Sequence, residues 1–226
     1  SNRADCFSIL GIAREAAATF KKPFKFPEIN VEECGGNAGE MASVKIHNED
    51  LCPRYAARII KNVKVGPSPK WLKERLTSAG LRPINNIVDI TNYMLLEFGQ
   101  PMHAFDYDKL AGHEIHVRNA KEGEKFVTLF GDEVTLDESM LVIADAEKAV
   151  ALGGVMGGDN SKVTEETTTI LFECANFNGY NIRQTSKKLN LRSDSSTKYT
   201  KGLDPNNITL ALERAAQLIN LTGAGE

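Results

Sequence analysis

Apolar residues recur along this chain at two spacings, and the change from one to the other divides it. From Asp5 to Phe20 (DCFSILGIAREAAATF), Phe7, Leu10, Ile12, Ala17 and Phe20 fall at helical intervals and predict a helix. KKPFKFPE follows, with two prolines and three lysines, and reads as an extended connector. After the loop EECGGNAGE, MASVKIHN alternates as a strand does, and RYAARIIKNVKV predicts another. GPSPKWLKERLTSAG then carries helix signals: Ser68 as cap, Pro69 at the first helical position, Gly80 as stop. Leu72, Leu76 and Ala79 mark its expected buried stripe. Asn86 to Phe98 is apolar on most sides and predicts a mostly buried helix.

Past GQPMHAFD the texture changes. EIHVR, KFVTLFGDEVTL, MLVIADA, AVALGG and TTTILFECA are short β-rich runs, with Phe130-Gly131-Asp132-Glu133 as a hairpin turn. Two further helices are expected in NGYNIRQTSKKLNL and from Pro205 to Gly223. A block of strands flanked by helices favours an α+β fold over a doubly wound parallel sheet.

Composition adds bounds. The chain has 226 residues, 42% hydrophobic, enough for one large or two small domains. A net charge of −3 advertises no nucleic-acid binder, so any such contact needs a local basic patch. Cys6, Cys34, Cys52 and Cys174 lie far apart, without zinc-site spacing, and read as reduced thiols in a cytoplasmic setting. No apolar run reaches the ~20 residues of a membrane helix. The polar opening without methionine suggests a piece of a longer protein, with Ser1 a cloning remnant.

Candidate chemistry is sparse. The glycine pairs of ALGGVMGGDNSKV suggest a phosphate cradle, but a β-branched run follows where a helix is needed, and there is no GK[ST]. Close packing of backbone, or a wall left bare for a ligand, are the other readings. His103 sits between apolar neighbours and by itself reads as a core histidine. His113 and His116, within HEIH, would point to opposite faces of a strand, against a metal pair. Glu173 is more telling, since in TTTILFE it shares a face with Leu171. A carboxylate there is paired, protonated, awaiting a donor, or at a sheet edge. Arg183, Lys187, Lys188, Arg192, Lys198 and Lys201 form a basic run, either a solvated face or a local phosphate patch. No nucleophile elbow and no Cys/His dyad is present.

The stretch CPRYAARIIKNVKVGPSPKWLKERLTSAGLRPINNIVDITNYMLLEFGQPMHAFDYDKL closely resembles the B3/B4 region of the bacterial phenylalanyl-tRNA synthetase β-subunit. The resemblance continues through ALGGVMGG, ILFECANF and LRSDSSTKYTKGLDP, and NRADCFSILGIARE resembles the lead-in from the preceding B1 domain. It implies mixed and antiparallel sheets flanked by helices, with residues 1–38 as lead-in helix and connector and 39–226 as an editing domain. The implied activity is hydrolysis of mischarged tyrosyl-tRNAPhe. The implied parent is an α2β2 ligase using ATP and magnesium bound elsewhere, with no cofactor or metal in this piece. Partners would be the tRNAPhe 3′ end, the catalytic α-subunit and the other β-subunit domains, with tyrosine as editing ligand and no membrane. By resemblance Glu173 accepts the phenolic hydroxyl, Gly157 lines the ring pocket, and His103 is the catalytic group near the ester. Arg82 lies near the tRNA end, Thr91 and Asn92 hold the amino-acid portion, and Ser193 and Ser195 continue the site. A free-standing deacylase acting in trans and a non-catalytic tRNA-binding or structural module are the alternatives.

Overall fold

A computed structural model describes residues 2–226; Ser1 lies outside them. Helix α1 (Ile9–Phe20) starts at Ser8, whose hydroxyl accepts from the Gly11 amide, and ends at Lys21 in a left-handed conformation. An extended connector leads to α2 (Ala38–Met41), β1 (Ser43–Ile46), β2 (Arg54–Ile60), α3 (Lys70–Ser78) and α4 (Asn86–Glu97). Then come β3 (Met102–Asp106), β4 (Glu114–Asn119), β5 (Lys125–Val127), β6 (Glu133–Thr135), β7 (Leu141–Ala144), β8 (Ala149–Leu152), β9 (Met156–Gly157) and β10 (Ile170–Asn176). Helices α5 (Gly179–Lys188), α6 (Asp194–Thr200) and α7 (Asn207–Thr222) follow.

Two sheets organise the molecule. One is mixed, in the order β1-β4-β7-β8-β9, with β1 and β4 parallel. The other is antiparallel, in the order β2-β10-β3. A separate hairpin, β5-β6, turns through Gly131 at φ +87°. Strand β10 is buried along almost its whole length, and its two faces serve different cores. Ile170, Phe172 and Cys174 pack with Leu72, Ile90, Met94 and Leu212 under the helices α3, α4 and α7. Leu171 and Ala175 pack with Val142, Val150 and Phe177 toward the five-stranded sheet. The α+β expectation holds, and so does the two-faced reading of TTTILFE.

Several local expectations do not. Ser68 does not cap α3; Pro69 takes the cap position, and the buried Ser68 hydroxyl donates to Asp89 at 2.6 Å. Asp89 also accepts from the Ile84 amide, so this carboxylate ties the loop before α4 to its first turn. Ala79 is exposed, because the helix stops at Ser78 and its last turn leaves the stripe of Leu72 and Leu76. Ile9, Ile12 and Phe20 of α1 are exposed as well, so only part of its apolar pattern meets the core. GQPMHAFD and LRSDSSTKYTK contain the strand β3 and the helix α6, neither of which the periodicity revealed.

Candidate active site

The space between the two sheets opens as a cavity of about 790 Å³. Its size is in the range of small-molecule pockets. Its floor comes from β3 and β10, where Glu173 and His103 are direct cross-strand partners. Such pairs project to the same face, so antiparallel register alone sets the two side chains side by side. Opposite them stand Gly154–Gly157, the turn between β8 and β9 together with β9. α4 contributes Val88, Thr91, Asn92 and Leu95, and the start of α6 contributes Ser193 and Ser195. Leu129 and Phe130, at the tip of the β5-β6 hairpin, complete the mouth.

The electrostatics of the pair are set by burial. Glu173 is 7% exposed, and burial pushes its carboxyl up to about 7, against one hydrogen bond that lowers it. That bond comes from the Tyr55 hydroxyl, 2.8 Å from Oε2. His103 is half-buried at the cavity wall, and burial pushes its imidazole down to about 4, so at neutral pH the ring is uncharged. Its Nε2 is buried without a hydrogen-bond partner among the described residues. A buried polar nitrogen is ordinarily satisfied, so this one is a candidate for a ligand contact.

The glycines divide by neighbour. A Cβ on Gly154, at φ +66°, would meet Phe177 and Tyr199 at 2.9 Å, and one on Gly158 would meet the Val150 carbonyl at 2.6 Å. These are close-packing glycines. A Cβ on Gly157 would lie 2.5 Å from His103 Cε1 and 2.9 Å from its Nε2, so the bare backbone there leaves room for the imidazole. No α-helix begins directly after the segment; a single 3₁₀ turn at Asp159–Ser161 follows, so the phosphate-cradle geometry is not formed.

Ser193 and Ser195 line the cavity with their hydroxyls engaged on backbone. Ser193 accepts from the Ser196 amide, capping α6, and donates to the Val155 carbonyl at 2.7 Å. Ser195 donates to the Gly154 carbonyl at 3.1 Å. Together they clamp α6 to the glycine wall. The Thr91 hydroxyl donates to the Val88 carbonyl, and Asn92 lines the cavity half-exposed. Arg82 is exposed on the loop before α4 and is not among the lining residues. Seven of the eight expected residues therefore meet at one cavity.

Within the basic run, Arg183 and Lys187 are exposed on α5. Lys188 pairs with Asp137, Lys201 donates to Asn2, Lys198 reaches the Phe7 carbonyl, and Arg192 stands exposed at the cavity rim. His113 stacks on Tyr107 while His116 bonds His47, so these histidines do not converge on one site. Among the described residues, the cluster with metal-ligand spacing is Asp5, Cys6 and Glu15, and Arg3 pairs with both carboxylates. All four cysteines are free thiols, and burial pushes the Cys52 thiol up to about 12, far from a nucleophilic thiolate. No described helix is long and apolar enough to cross a membrane.

Tyr55, which holds Glu173 from outside the cavity lining, is a residue that sequence reasoning missed, as it missed Leu129 and Phe130 at the mouth. RYAARII reads correctly as a strand, but its pairing with β10, 118 positions away, leaves no local mark.

Comparison with known proteins identifies relatives along the whole chain. The family model described as the B3/4 domain matches residues 51–223. The chain is 50% identical over 225 residues to the phenylalanine–tRNA ligase beta subunit of Bacillus subtilis, covering 100% of this chain and 28% of that protein. It is 53% identical over 218 residues to the corresponding subunit of Moorella thermoacetica, covering 96% of this chain and 27% of that one. It thus spans under a third of the length of these relatives. An N-terminal fragment of the phenylalanyl-tRNA synthetase beta-subunit from Pyrococcus horikoshii has a similar fold, with a TM-score of 0.54 at 16% identity. That likeness covers 100% of this chain and 59% of the fragment.

Proposed function

The chain belongs to the B3/4 domain family, and on that premise we propose that it is the editing module of a phenylalanine–tRNA ligase β-subunit, hydrolysing tyrosyl-tRNAPhe. Residues 1–38 are then the lead-in and 39–226 the editing domain. The observation that carries this reading is the buried Glu173 carboxylate on the floor of the cavity, beside a neutral histidine with an unpartnered nitrogen. A phenolic hydroxyl supplies a donor to the carboxylate oxygen that Tyr55 leaves free. Phenylalanine would leave that oxygen desolvated and unpaired, which costs about 1–3 kcal/mol, and more for a charged group. That difference is the selectivity an editing site needs where an apolar synthetic pocket rejects an added hydroxyl incompletely.

In the reaction, a water oxygen attacks the ester carbonyl carbon, the bond to the ribose oxygen breaks, and that oxygen takes up a proton. An imidazole held near 4 is a weak base at neutral pH, so His103 chiefly orients the water and supports developing charge. Thr91 and Asn92 hold the amino-acid portion, and Gly157 keeps the wall beside His103 flat. Arg82, away from the floor, contacts the tRNA end outside the pocket.

The test is deacylation of tyrosyl- and phenylalanyl-tRNAPhe by the whole α/β enzyme, wild type against Glu173→Ala. The variant is expected to lose its preference for the tyrosyl ester. Undiminished preference would remove Glu173 from the role.

A further inference from the structure

The Glu173 side chain has a single hydrogen-bond partner among the described residues, and it lies outside the cavity lining. The Tyr55 hydroxyl donates to Oε2 at 2.8 Å. The register explains how it reaches. On β2, Ala57 is the direct partner of Glu173, and Tyr55 is the direct partner of Ala175, two positions along on the same face. Tyr55 is therefore a diagonal neighbour, at a separation that a long aromatic side chain can span. Ala57 carries nothing beyond Cβ to obstruct that path.

The third strand offers no equivalent contact. His103 is the partner of Glu173 on β3, yet its Nε2 makes no hydrogen bond. A carboxylate has roughly four lone-pair sites on two oxygens. One oxygen of Glu173 is engaged from the β2 side, and the residue borders the cavity on the other.

We infer that Tyr55 is a positioning residue that sets the specificity of this cavity, by holding the Glu173 carboxylate so that its second oxygen is presented to the hydroxyl of a phenolic ligand. The inference rests on the editing reading given above and names the residue through which selectivity is imposed. The choice of donor has a chemical reason. An arginine or lysine would form an ion pair with Glu173 and bring a second charge into the core, with its own desolvation cost. A phenol fixes the carboxylate while remaining neutral. Burial, and then the Glu173 charge, push the Tyr55 hydroxyl well above its ordinary value, so it stays a donor at every working pH. Tyr55 touches Glu173 and not the reacting atoms; it acts on the reaction through binding.

The experiment is Tyr55→Phe in the β-subunit of the assembled α/β enzyme, with deacylation of tyrosyl- and phenylalanyl-tRNAPhe followed from pH 5.5 to 8.5. The variant is expected to lose about tenfold in the ratio of the two kcat/KM values at pH 7.5, the order of one hydrogen bond to a charged group. The loss should fall on KM for the tyrosyl ester, with the phenylalanyl reaction unchanged. The pH midpoint of that ratio should also move upward, because Tyr55 is the group that lowers the proton affinity of Glu173. A merely structural role would not move that midpoint. In a Glu173→Gln background, Tyr55→Phe should have no further effect on the ratio.

A wild-type enzyme with no preference for the tyrosyl ester would overturn the editing reading and the specificity role together. A wild type that discriminates, beside a Tyr55→Phe enzyme with the same ratio and midpoint, would overturn the Tyr55 assignment alone. Infrared titration of isotope-labelled glutamate in this chain gives a readout that needs no substrate. The Glu173 midpoint should rise in Tyr55→Phe, and an unchanged midpoint would sink the proposal.

Discussion

Removing either member of the Glu173–His103 pair should change the pH dependence of folding, in opposite directions. Glu173 titrates at about 7 in the folded chain against an ordinary 4.5. Between those values the folded state keeps a proton that the unfolded state has lost, so stability falls as pH rises through the window. The shift corresponds to about 3 kcal/mol, fully expressed above pH 7. His103 titrates at about 4 against an ordinary 6.5, so across that range the unfolded state holds the extra proton. Its contribution therefore makes stability rise with pH, by up to about 3 kcal/mol. The half-buried ring opens on the cavity, where water screens it, and its slope is the shallower of the two.

In the wild type these slopes oppose each other between pH 4.5 and 6.5. Urea unfolding of this chain at half-unit steps from pH 4 to 8 separates them. The stability of Glu173→Gln minus that of wild type should climb by about 3 kcal/mol between pH 4.5 and 7, then level off. The same difference for His103→Asn should decline from pH 4 to 6.5. Subtraction cancels the ionisable groups that the proteins share. Flat difference profiles for both variants would refute the claim that burial governs the charge state of this pair.

Two further outcomes follow from the cavity wall. Gly157→Ala places a methyl against His103 and Leu129, at 2.5 and 2.8 Å before relaxation, so it should cost about 1–3 kcal/mol in thermal unfolding and slow ester hydrolysis by displacing the imidazole. An unchanged Tm with full hydrolysis would mean that the ring has another place to sit. Ser193→Ala removes the cap of α6 and the bond to the Val155 carbonyl, for a loss of about 1–2 kcal/mol in the same assay, and an unaltered Tm would deny the clamp.

Where an element buries one face of a regular repeat, the sequence announces it: α4, β10 and the β5-β6 hairpin all stand where periodicity and turn residues put them. Strand β3 escaped because Pro101 and the short apolar run MHAF give no alternation. Helix α6 escaped because its seven residues are nearly all polar and are held by a capping box and by contacts with the glycine wall. The two-faced pattern of TTTILFE singled out Glu173 without help from any relative, but left burial and a solvated sheet edge both open. His103 became a site candidate only through resemblance, since its adjacency to Glu173 depends on a register between strands 70 positions apart. Tyr55 had neither signal. Cross-strand partners at such separations are fixed by the packing of whole layers, which no short window of sequence contains.

The place of β10 between β2 and β3 also has a consequence for synthesis. Both outer strands leave the ribosome before their shared partner exists, and some 60 residues separate the end of β3 at Asp106 from the start of β10 at Ile170. At 5–20 residues per second, that leaves two unpaired strand edges waiting for roughly 3 to 13 s. Through this interval the nascent chain exposes ready templates for pairing with other chains, an aggregation hazard that ends only when the strand bearing Glu173 docks between them.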